Sequence, residues 1–195
     1  MDIKDHLHAM LRRRRADLLA TLDGLSEHDV RRPLTPTGTN LLGLVKHVAS
    51  VQLGYFGDVF GRAPDRTWPW LGEHADHDAD LWAPAEESRE MLLEFVAYSD
   101  QHADATIDAL DIDAPGVVPW WPEDRRDVTL GQVLVHVVAE AARHAGHADI
   151  VRELVDGRAG QRPGDVNVPD LGAAGWGAHV ARVQEAADAV AAERR

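Results

Sequence analysis

A chain of 195 residues, 45% of them hydrophobic, with no bilayer-length apolar run and no charged-then-apolar leader, predicts one soluble cytoplasmic domain with a full core and no membrane partner. A formal net charge of −13 works against nucleic-acid binding, because affinity for a phosphate backbone comes from Lys and Arg displacing condensed counterions. The absence of cysteine excludes disulfides, thiolate metal sites and a cysteine nucleophile, so any metal must rest on nitrogen and oxygen donors, for which 11 histidines are at hand.

The first helix is expected over residues 3–25, where Leu7, Leu11, Leu18, Leu22 and Leu25 form one stripe and Gly24 lies near the end. Arg15 falls inside that stripe. Either its head snorkels to the edge, or it turns its donors into an internal cavity toward an anionic ligand. The arginine run 12–15 otherwise reads as a solvated helix face. Residues 26–40, with Pro33, Pro36 and Gly38, form a turn-rich link, and Thr39 is a candidate cap for a second helix over residues 40–60. On that helix Leu44, His47, Val51 and Tyr55 share a face, so His47 looks inward. Taken alone, an inward histidine is usually a core residue.

Residues 61–84 show little periodicity. Their acidic piece, EHADHDAD at 73–80, lacks the glycine turn and distal glutamate of a calcium loop and reads as a solvated segment outside any site. A third helix over 86–110 carries Met91, Phe95, Tyr98 and His102 along its stripe. Tyr98 and His102 are either ordinary core residues or the wall of a cavity. In the loop 111–128, Trp120 and Trp121 stand between Pro119 and Pro122, cannot continue a helix, and are expected to fold over one end of a bundle. There they either cap the core or line a pocket mouth.

Residues 129–157 are the most informative. Thr129 with Gln132 forms a capping box, Gly157 is a natural stop, and Val133, Val137, Val151 and Leu154 recur at helical spacing. At about 100° per residue, His136, Glu140, His144 and His147 fall within an arc of roughly 80° that also holds those apolar residues. Burying an unpaired carboxylate costs several kcal/mol, so Glu140 needs a compensating cation, a hydrogen-bond network or a water-filled cavity. Arg143 of the same helix or Arg15 across the bundle would serve. So would a divalent metal shared with His144 one turn away, its third ligand coming from elsewhere in the chain. Residues 158–175 read as a linker, and a last helix over 176–193 places Val180, Val183, Ala187 and Val190 on one side. Four long amphipathic helices without a convincing strand predict an all-α, four-helix bundle with an extra short C-terminal helix.

Two segments, LTPTGTNLLGLVKHVASVQLGYF at 34–56 and TLGQVLVHVVAEAARHAGHADIVRELVDG at 129–157, resemble the DinB-like superfamily. The likeness is to the actinobacterial branch containing mycothiol-dependent maleylpyruvate isomerases and related thiol S-transferases, and it extends over nearly the whole chain. It implies a metal-binding four-helix bundle, placed here at 1–157; by their own composition and spacing residues 158–195 are expected to be a linker and helix packed on the same domain. It also implies one divalent ion held by His47, Glu140 and His144. His136, one turn before Glu140, is a competing ligand by its position, ranked below His47 because bundle sites usually draw on more than one helix. The family's H-x-G-Q element reads His144, Ala145, Gly146, His147 here; histidine in place of glutamine makes His147 either an orienting donor or a fourth ligand.

Two histidines and a carboxylate leave open coordination positions, and the resemblance points to zinc, with nickel and manganese as alternatives. The implied activity is metal-dependent transfer of a low-molecular-weight thiol such as mycothiol to a small electrophile. Arg15 would contact a substrate anion, and Tyr98, Trp120 and Trp121 would shape the pocket. The isomerases carry an additional C-terminal domain that the tail after Gly157 is too short to supply. Two other readings remain: a non-catalytic, metal-stabilised binding or stress-response protein, and a metal-dependent hydrolase that activates water. A small-molecule substrate is the expected partner, and the sequence leaves a homodimer open.

Overall fold

The computed structural model describes residues 2–160 and 167–192. Short polar side chains start each of the first five helices by accepting a backbone N–H that the first turn leaves unpaired. Asp2 opens α1 (Ile3–Ala20), Ser26 opens α2 (Glu27–Arg31), Asn40 opens α3 (Leu41–Phe56) and Ser88 opens α4 (Arg89–Ala109). Thr129 opens α5 (Leu130–Asp156) with both halves of the capping box in place, and Gly157 ends it at φ 76°.

Several boundaries differ from expectation. The first helix stops at Ala20, because residues 21–24 turn toward Gly24, whose φ of 73° is left-handed. Asn40, not Thr39, caps α3, and that helix ends at Phe56, before a 3-10 turn at Asp58–Phe60. The short α2 lies within the expected link. The expected loop 111–128 contributes to an antiparallel ribbon, β1 (Pro115–Val117) with β2 (Asp127–Thr129), the one strand pair among the described residues.

The chain divides into two units, Met1–Arg162 and Pro163–Arg195. In the first, an all-α bundle, α1 packs on α5, α5 on α3, and α3 on α4. Leu11 and Leu18 of α1, Leu41, Leu42 and Phe56 of α3, Leu92, Phe95 and Ile107 of α4, and Val133, Leu134 and Val137 of α5 are buried together. Burying a side chain of that size stabilises the fold by about 1.5–3 kcal/mol. Leu154, expected on the same stripe of α5, is 58% exposed.

The remaining edge, between α1 and α4, is bridged by polar side chains. Arg15 is buried and donates through Nη1 to Asp104 at 2.6 Å and through Nε to Gln52 of α3. His8 and Arg12 meet the same Asp104 carboxylate at 2.8 and 2.9 Å. Burial pushes the Asp104 carboxyl up, but the bonds from His8 and Arg15 outweigh that and hold it below the ordinary aspartate range. Its neighbour Asp100 goes the other way, raised by burial against the pull of Arg15.

In the second unit, α6 (Gly172–Ala192) carries Val180, Val183, Ala187 and Val190 at helical spacing. Residues 161–166 of the expected linker, and position 193 at the expected end of the last helix, lie outside the described residues. No helix among the described residues is long and apolar enough to cross a membrane.

Candidate metal centre

Helices α3 and α5 face each other so that His47 lies against Glu140 and His144, and Tyr55, two turns along α3, lies against His136, one turn back along α5. The helices are therefore antiparallel where they meet. His144 Nε2 is 2.9 Å from Glu140 Oε1, and His47 Nε2 is 3.5 Å from the same oxygen. The two imidazole rings meet edge to face with centroids 4.9 Å apart.

One donor atom from each of the three residues lies within 4.8 Å of the others. Bonds of about 2.0–2.1 Å from zinc to nitrogen or oxygen place tetrahedral ligands roughly 3.3 Å apart. The separations of 2.9 and 3.5 Å fall on either side of that value. Two borderline nitrogens and one hard oxygen, half-buried and already converged, therefore fit a single divalent ion with at least one position open. Glu140's ion partners among the described residues are these two imidazoles. The arginine alternatives are not used: Arg143 is exposed, and Arg15 is engaged by Asp104.

The two histidines are tuned in opposite directions. The hydrogen bond to Asp80 is the largest influence on His47, and with the nearby Glu140 charge it raises the imidazole above its ordinary pKa. Burial pushes His144 down, and the neighbouring His47 and His147 add to that push against the pull of Glu140.

The other expected site residues separate into groups. His147 Nδ1 lies 3.4 Å from Nδ1 of His144, the nitrogen that does not face Glu140, so His147 stands behind the donor cluster. His136 packs on Tyr55 and Trp121 at centroid distances of 4.7 and 5.4 Å, and Trp120 also meets Tyr55 at 5.2 Å. Tyr98 donates to Asp65 at 2.6 Å and stacks on His102, along α4. Tyr98 is thus taken up by Asp65, and Arg15 by Asp104 and Gln52, rather than by the three converging donors. A cavity of about 440 Å³ opens beside His144 and His147, lined also by Thr35, Thr37, Leu44 and Ile150.

Asp80, assigned by sequence to a solvated loop, instead bonds His47 Nδ1 through Oδ2 at 2.8 Å. The surrounding loop has no periodicity to reveal this. One signal does exist in the facing helix. Gly43 interrupts the apolar start of α3, and a Cβ there would stand 1.9 Å from the Leu81 carbonyl oxygen. A glycine inside a helix marks such a close backbone approach.

Comparison with known proteins places this geometry in context. A solved structure titled as a conserved protein of locus from Enterococcus faecalis is similar in fold, with a TM-score of 0.56 and 20% identity, covering 81% of this chain and 99% of that one. A comparison with curated proteins gave no match. The sequence profile of the mycothiol-S-transferase family matches residues 6–157, a span that runs from the first turn of α1 through the end of α5 and includes every residue of the donor cluster. The chain belongs to the mycothiol-S-transferase family.

Proposed function

We propose that the protein is a metal-dependent S-transferase in which His47, Glu140 and His144 hold one divalent ion, zinc in the first instance, and a low-molecular-weight thiol such as mycothiol attacks a small electrophile. The observation that carries this reading is the convergence of three donor atoms from two helices at the edge of an open cavity. A bound divalent ion supplies Lewis acidity, which brings a coordinated thiol toward thiolate near neutral pH.

The chain's own residues supply the rest. Glu140 offsets one of the two positive charges, leaving the centre still attractive to an anionic sulfur. His147 buttresses His144 from behind and limits its rotation. The cavity volume lies within the range of about 300–1,000 Å³ typical of small-molecule sites. Threonine hydroxyls at 35 and 37 suit a hydroxyl-rich thiol, while Leu44, Ile150 and Val151 offer apolar contact to the electrophile. Tyr55 of α3 and His136 of α5, with Trp120 and Trp121 from the segment between β1 and β2 packed on them, form an aromatic wall farther along the same helix pair. The thiol proton leaves to solvent, sulfur bonds to the electrophilic carbon, and the leaving group departs with its electron pair.

The test is a conjugation assay with mycothiol and monochlorobimane on protein loaded separately with zinc, nickel or manganese, set beside an ester and amide panel. Conjugation that disappears on chelation and falls at least a hundredfold in His144→Ala supports the proposal. Ester or amide hydrolysis without conjugation replaces it with the hydrolase reading, and loaded protein inert in both assays leaves the metal a stabilising role.

A further inference from the structure

His47 has two ring nitrogens with different neighbours. Nε2 faces Glu140 on the donor side, and Nδ1 lies 2.8 Å from Asp80 Oδ2 on the other. Asp80 comes from an irregular segment 33 residues along the chain, where no helix or strand fixes its place. Holding such a side chain to one position costs conformational entropy, which other contacts must offset.

Those contacts come from α3 itself. Lys46, next to His47, is fully buried, and its Nζ donates to the Ala79 carbonyl at 2.6 Å, the Trp82 carbonyl at 2.9 Å and Glu87 Oε2 at 2.6 Å. An ammonium group has three N–H donors, and the 79–87 segment takes all of them. The same group lies 4.3 Å from the centroid of the Trp70 ring. One turn earlier, Gly43 lets the Leu81 carbonyl sit directly on the helix backbone, and Asn40 Nδ2 reaches that oxygen at 3.5 Å. Asp80 is thus held on both sides, at Ala79 and at Leu81–Trp82, by the helix that presents His47.

A buried lysine–glutamate pair is by itself a poor source of stability, since desolvation consumes most of its Coulombic gain. The clasp therefore calls for another reason. We propose that Asp80 is a positioning residue of the metal centre: it accepts the His47 Nδ1–H, which leaves Nε2 bare and aimed at the ion, and the Lys46 clasp exists to keep it there. This rests on the metal reading of His47, Glu140 and His144. An unrestrained neutral imidazole favours the tautomer with its proton on Nε2, the nitrogen that must be free, and a carboxylate at Nδ1 reverses that preference. The same carboxylate makes Nε2 a stronger donor, and loss of such partners typically weakens metal affinity by about 10–100-fold.

The experiment compares wild type with Asp80→Ala, Asp80→Asn and Lys46→Met in the full chain. Zinc affinity is measured by competition with a chromophoric chelator. In zinc-loaded, histidine-labelled protein, the exchange-protected His47 Nδ1–H is read by proton–nitrogen correlation. Melting of the zinc-free forms reports folding.

For Asp80→Ala we expect zinc binding 10–100-fold weaker, loss of the protected Nδ1–H signal, and a zinc-free form that still melts cooperatively. Asp80→Asn keeps an acceptor oxygen and should retain the signal with a smaller affinity loss. Lys46→Met, with Asp80 intact, should weaken zinc in the same direction; should it fail to fold, the two Asp80 variants decide. Zinc affinity of Asp80→Ala within threefold of wild type, or a protected signal that survives in Asp80→Ala, overturns the role of Asp80 alone. Failure of the wild type to bind zinc overturns the metal reading beneath it.

Discussion

Removing the charge of Glu140 while keeping its shape separates its role as a ligand from its role in packing. In Glu140→Gln the amide oxygen remains near both imidazoles, but the anion that draws a cation between them is gone. Zinc affinity should fall by about 10–100-fold or more in chelator competition, with little change in the melting of the metal-free protein. At the α1–α4 edge, Asp104→Asn deprives Arg15, His8 and Arg12 of a shared charged acceptor and should cost about 2 kcal/mol in urea unfolding at pH 7. The sign of its pH dependence follows from the lowered carboxyl. The contribution is fully present above the ordinary aspartate range and is lost as pH falls through the lower folded value. The gap between wild type and Asp104→Asn should therefore persist down to about pH 5 and close below about pH 4. Asp100, raised by burial, has the opposite sign: its ionised form opposes folding, so Asp100→Asn should be no less stable than wild type at pH 7.

Among the elements, α3 carries the most demanding fit. A methyl at position 43 would collide with the backbone of Leu81, at 1.9 Å from oxygen and 2.7 Å from carbon, and neither atom can rotate away. Gly43→Ala should cost at least about 2 kcal/mol in thermal or urea unfolding and weaken zinc binding with it, since Asp80 moves with Leu81. Gly146→Ala is the matched control. Nothing lies within 4 Å of its Cβ position, and an alanine there should stabilise α5 by about 0.5–1 kcal/mol.

What could be read beforehand follows from how local each signal is. The α5 cap, its stop at Gly157 and the inward direction of His47, Glu140 and His144 depend on helical period and one or two neighbouring residues, and they stand in the sequence. The five-residue α2 and the three-residue strands are too short to establish a period. The end of α1 is set by one turn at Gly24. Asp80 depends on contacts with Lys46 and Gly43 more than 30 residues away, which an acidic run does not announce.

At the level of the whole molecule, an ion at this position would tie α3 to α5 within the first unit. A ligand bound only by the folded state stabilises it by about 4 kcal/mol when present at 1,000 times its dissociation constant. For a domain of this size that corresponds to a rise of roughly 8–16 °C in melting temperature. Chelator treatment should reverse the rise, and zinc addition should restore it. The converging donors, the adjoining cavity and membership of the mycothiol-S-transferase family bear on one centre, and its occupancy can be seen directly. Anomalous diffraction from zinc-loaded crystals, recorded on both sides of the zinc absorption edge, should show a single peak about 2.0–2.2 Å from His47 Nε2, His144 Nε2 and a Glu140 carboxylate oxygen. No peak at that position, or a peak that none of these three atoms approaches within bonding distance, would contradict the account.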